Sequence, residues 1–73
     1  MKIRVVAKQK APLLVVFEPL GEEYVVPPGE HIVVEWLGDG EGEIAVHDDH
    51  VKLWDPIRGS KRVWTAEGDE LLS

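Results

Sequence analysis

His47-Asp48-Asp49-His50 is the densest run of potential metal ligands in the chain, and His31 joins it if the strands that carry these residues are neighbours. Imidazole with carboxylate suits zinc and other divalent transition metals, but a site needs three or four side chains converging at about 2.0–2.2 Å. His31, His47 and His50 are therefore the candidate ligands of a cupin-like carrier of a metal or small molecule. The plainer reading is a turn whose aspartates bond local backbone donors. In it His47 and His50 stand at opposite ends and point apart, and no cofactor is expected.

Two further kinds of chemistry are open to inspection. Glu18, Glu22, Glu23 and Glu30 include enough carboxylates for an acid–base pair of the kind that works on glycosides. Such a pair needs a cleft, and 73 residues leave little interior to make one. A solvated acidic face is expected instead. The hydroxyl residues are Tyr24, Ser60, Thr65 and Ser73. None follows the strand-to-helix elbow that activates a serine, and Ser60 reads as part of a turn. The chain is accordingly not expected to be an enzyme.

Trp54 and Trp64 flank Asp55–Ser60, a stretch that reads as the loop of the last hairpin. If Val51 and Leu53 face inward, Lys52 and Trp54 face out, and one register of the final strand sets Trp64 beside Arg62 on the same side. Trp54, Arg58, Arg62 and Trp64 then form an aromatic and basic patch fit to stack on a sugar or a single-stranded base, or to anchor a partner protein. The other register sends Trp64 into the core.

The elements that must position these residues are short. Pro12, Pro19 with Gly21, Pro27-Pro28-Gly29, the Gly38–Gly42 run, Asp48-Asp49, Pro56 with Gly59, and Gly68 punctuate the chain. Between them lie segments of four to eight residues rich in Val, Ile, Leu and Trp, the spacing of strands and turns. No window keeps an apolar residue at every third or fourth position long enough for a helix. Strands are expected near 2–8, 13–18, 23–27, 31–37, 43–47, 51–55 and 61–66. Seven short strands predict an all-β domain, a small antiparallel β-sandwich or partly open barrel. Alternation points Ile32, Val34 and Trp36 to the core, and Ile44 and Val46 likewise. Pro27-Pro28-Gly29 fits a type II turn, whose second central position needs a positive φ. Gly38–Gly42 reads as a mobile hairpin tip; its two acids and the absence of a lysine exclude a phosphate loop. Leu13, Val15 and Phe17 alternate with Leu14 and Val16, so the second strand is apolar on both phases and needs cover on both faces. A subunit interface on Leu14 and Val16 would supply it.

Charge narrows the partners further. The net charge is −6, yet residues 1–10 hold Lys2, Arg4, Lys8 and Lys10 and no acid, whereas residues 18–49 hold ten acids and no Lys or Arg. Phosphate backbones are bound by Lys and Arg that displace counterions, so nucleic acid is disfavoured as a partner. The first ten residues lack the apolar run of a signal peptide, and the longest uncharged stretch, residues 11–17, is too short to cross a bilayer. No membrane partner is expected. With no Cys there are no disulfides, which fits a reducing, cytoplasmic setting.

Glu18-Pro19-Leu20-Gly21-Glu22-Glu23-Tyr24-Val25-Val26-Pro27-Pro28-Gly29-Glu30 resembles a pattern in small uncharacterised bacterial all-β proteins. Those proteins commonly carry Trp where this chain has Leu20. The resemblance implies a bacterial, cytosolic protein and no mechanism. A Pro-Pro-Gly-Glu turn before a strand is also similar to cupin-like barrels, whose metal motif of spaced histidines and a glutamate is not present.

These observations favour a non-catalytic protein–protein interaction or accessory module, a homodimer joined through its first two strands or a subunit bound to another protein. Opposite charge patches on one molecule steer oriented association. An acidic inhibitor imitating nucleic acid is the alternative, with binding that weakens steeply as salt rises.

Overall fold

The computed structural model describes residues 1–72 of the chain. Eight strands follow one another: β1 (Lys2–Val6), β2 (Leu13–Glu18), β3 (Glu22–Val26), β4 (His31–Asp39), β5 (Glu43–Val46), β6 (His50–Trp54), β7 (Arg58–Thr65) and β8 (Glu70–Leu72). They form two four-stranded sheets, in the orders β1-β4-β7-β8 and β3-β2-β6-β5. Every described element is a strand or a turn, and no helix is long and apolar enough to cross a membrane.

The alternation seen in the sequence decides what lies between the sheets. Ile32, Val34 and Trp36 of β4 and Val63 of β7 point inward from the first sheet. Val15 and Phe17 of β2, Val26 of β3 and Leu53 of β6 meet them from the second. Burying a side chain of this size stabilises the fold by about 1.5–3 kcal/mol, so this handful of residues carries most of the hydrophobic stabilisation in a domain without disulfides.

Three hairpins stay within a sheet (β2–β3, β5–β6 and β7–β8), while four links cross between sheets. The crossing links hold most of the Pro. Pro27–Glu30 closes as a turn, with the Glu30 amide donating to the Pro27 carbonyl at 3.0 Å and Gly29 at φ 78°. The turn is tied to the end of β1, where the Gly29 amide donates to the Ala7 carbonyl at 2.7 Å.

Several expectations are corrected. Residues 38–42 are not a hairpin tip: β4 runs on to Asp39 against β7, and the glycines carry the chain to the other sheet. A Cβ on Gly42 would fall 2.6 Å from the Trp36 indole, so Gly42 caps the core. Residues 55–60 are not a hairpin loop either. Residues 55–57 cross from β6 to β7, and residues 58–60 already belong to β7. β2 and β6 pair in parallel, with Val15 opposite Val51, which makes the sandwich mixed rather than purely antiparallel. The eighth strand was hidden because the residues before it, Glu67-Gly68-Asp69, look like a polar tail. Instead they close a turn, in which the Asp69 amide donates to Thr65 Oγ1 at 3.1 Å.

Candidate functional site

The tryptophans are placed on opposite sides of the molecule. Leu53 is buried and Trp54 points outward from the second sheet, as the β6 alternation requires. Trp64 points outward from the first sheet, opposite Val33, with Arg62 on the same phase opposite Glu35. Arg58 shares that phase at the start of β7, but about 13 Å along the strand from Arg62. Trp54 therefore belongs to one surface, and Arg58, Arg62 and Trp64 to another.

Trp64 is half-buried and already has two cations against its ring. The Arg62 guanidinium lies 5.0 Å and the Lys2 ammonium 5.5 Å from the centre of its ring, within reach of the ring quadrupole. Arg62 is itself held by Glu70 through two hydrogen bonds of 3.0 and 2.8 Å. These bonds hold the Glu70 carboxyl below the ordinary glutamate value and raise the Arg62 guanidinium above its own. The indole is thus engaged by the chain's own cations.

The outer face of the second sheet is more open. β2 sits between β3 and β6, so the register sets Leu14 between Val25 and His50, and Val16 between Glu23 and Lys52. The next row holds Glu18, Trp54 and Glu43. Val16 is buried although it faces outward, in line with the long Glu23 and Lys52 stems beside it. Val25 remains 53% and Trp54 38% exposed. Apolar residues thus run across the face with acids at its edge, and no third layer of the described chain covers it.

Ile44 and Val46 depart from expectation most clearly. They point to the inner side of the second sheet, as their alternation predicts, yet they are 50% and 78% exposed. β5 is the edge strand and packs extensively on β6 alone, so the opposing sheet does not extend over it. Beside it, between the end of β1 and the β5–β6 hairpin, lies an open cleft of about 600 Å³ with Val6, Leu13, Val46 and Val51 in its wall. A domain this small was expected to have no such hollow.

The histidines divide. His47 and His50 do not point apart: their rings stack at 4.4 Å and an angle of 4°, because the His47 amide donates to the His50 carbonyl and closes a tight hairpin. His50 Nδ1 lies 2.7 Å from Asp49 Oδ1, and this contact holds the Asp49 carboxyl below the usual aspartate range. His31 is on β4, in the other sheet and opposite Val6, because β4 and β5 do not pair. Among the described residues no three His, Asp or Glu side chains converge as a metal site would need. Nor do Glu18, Glu22, Glu23 and Glu30 pair: Glu18 and Glu23 take the outer phase of the second sheet, Glu30 is exposed at its turn, and Glu22 turns inward.

Glu22 turns inward toward a residue that charge counting passed over. Lys61 lies on the inner phase of β7, 8% exposed, with Nζ 3.4 Å from Asp55 Oδ2, 3.6 Å from Glu22 Oε1 and 5.6 Å from the centre of the Phe17 ring. The one available signal was its place two residues before Val63, on the phase of the core. Asp55 Oδ1 and Trp36 Nε1 are also buried and have no hydrogen-bond partner within the protein. Compared with known protein families, curated proteins and solved structures, the chain matches none.

Proposed function

We propose that this chain is a non-catalytic protein-binding module that associates, with itself or with another protein, through the outer face of its second sheet. The observation that carries the proposal is the diagonal of Val25, Leu14, Val16 and Trp54, spread over three successive rows of a sheet face that bears no further layer. Aromatic anchors ringed by charged residues are where binding energy concentrates in protein interfaces. Here Trp54 lies between Glu18 and Glu43 in the register.

Self-association is tested first, by sedimentation equilibrium over a wide concentration range. The wild-type protein is expected to associate reversibly, and Trp54→Ala to remain monomeric while melting at nearly the wild-type temperature. A monomer at every concentration removes self-association from the reading. Association that Trp54→Ala leaves intact moves it to another surface.

A further inference from the structure

β5 is a weakly defended sheet edge, with one charged residue, Glu43, at its start. The other edges carry devices that discourage a new strand: β1 has Lys2 and Arg4, β3 has Glu22 and Glu23, and β8 is three residues long. In β5 the sequence Ile44-Ala45-Val46 has no charge, and its register with β6 is unbroken. The orientation of its backbone groups follows from the hairpin. The His47 amide donates to the His50 carbonyl, so His47 and, by alternation, Ala45 and Glu43 bond to β6. The N–H and C=O groups of Ile44 and Val46 therefore point away from the sheet. These are also the two residues of β5 whose apolar side chains are left exposed, Val46 in the wall of the cleft.

The surroundings say what fits there. Glu41 and Glu43 at one end of β5, and Asp48 and Asp49 at the other, are all exposed acids, and they outnumber the bases beside them, Arg58 and Lys8. A second copy of β5 laid antiparallel would bring these acids together. A strand with basic ends would complement them. We infer that β5 binds an extended peptide segment of a partner protein, added antiparallel as a fifth strand, with apolar residues over Ile44 and Val46 and Lys or Arg at both ends. Backbone bonds would supply much of the affinity, and the acids and the apolar pair the selectivity. This rests on the reading of the chain as a protein-binding module but uses the edge of the second sheet, which shares only Glu43 with its outer face, so loss of Trp54 tells the two apart.

The probe is the synthetic peptide Lys-Lys-Val-Thr-Val-Lys-Lys, capped at both ends, with Glu-Glu-Val-Thr-Val-Glu-Glu as its control. Both are titrated into the intact protein and followed by backbone amide shifts. The basic peptide is expected to shift the Ile44 and Val46 amides in a saturable way, and the acidic one to bind about tenfold more weakly or worse. Val46→Pro removes an outward N–H and one of the two apolar side chains under the peptide, leaves the bonds to β6 in place, and should abolish binding. If that variant fails to fold, the exposed double substitution Glu43→Lys with Asp48→Lys decides, since it should reverse the preference and favour the acidic peptide. Absence of saturable shifts at β5, or binding that Val46→Pro leaves unchanged, overturns the proposal. So does an unliganded protein that dimerises through β5, seen as sedimentation that Val46→Pro makes monomeric. Loss of Trp54 leaves peptide binding at β5 intact if the two surfaces are separate, as inferred.

Discussion

Lys61 is a cation placed where alternation calls for an apolar side chain, in register with Trp36 and close to Phe17. Asp55 and Glu22 answer its charge, and removing one member of a buried pair strands the other. Lys61→Met is therefore expected to cost about 3 kcal/mol, read from urea unfolding. Adding Asp55→Leu should recover part of that loss, because an apolar pair needs no compensation. The exposed pair of Arg62 and Glu70 behaves differently. The Glu70 carboxyl is held below its ordinary value, so the folded state binds its proton less readily than the unfolded chain does. Its contribution is present at neutral pH and is lost as pH falls through the lowered folded value. Glu70→Gln should thus lower the urea midpoint at neutral pH and converge with wild type in acid. A constant difference across the acid range would show that the pair is not linked to stability in this way.

Glycine at position 42 illustrates how a connection can be part of a packed element. It lies against the Trp36 indole, and a methyl group there would need the ring or the chain to move. Gly42→Ala is expected to destabilise the fold by about 1–3 kcal/mol, with a change in the near-ultraviolet signal of Trp36. A melt unchanged from wild type would mean that the contact yields freely. The strands themselves were legible because period-two alternation and turn residues are local signals: all seven expected strands are present, with ends shifted by a few residues. The outward direction of Lys52 and Trp54 was legible for the same reason. Partner choice was not local. Nothing in Gly38–Gly42 or Asp55–Ile57 distinguishes a hairpin from a link between sheets, so Trp54 and Trp64 were read onto one patch. Ile44 and Val46 have the alternation of core residues, and only the limited width of the opposing sheet leaves them exposed.

At the scale of the whole molecule, the charge asymmetry noted along the chain becomes partly spatial. Lys2, Arg4 and Arg62 lie on the outward phase of the first sheet with Glu35 and Glu70 among them, whereas Glu18, Glu23 and Glu43 lie on that of the second with Lys52 among them. A partner approaching the second sheet meets acid at the rim and, inside it, apolar side chains beside the single cation Lys52. The parallel pairing of β2 with β6 has a different kind of consequence. Val15 meets Val51, which is 51 − 15 = 36 positions later in the chain. On a ribosome adding about 5–20 residues per second, the Leu13–Phe17 stretch would wait roughly 2–7 s for its second neighbour. During that interval the most apolar strand of the protein has one side unzipped, and nascent chains held close together would be most prone to stick to each other there.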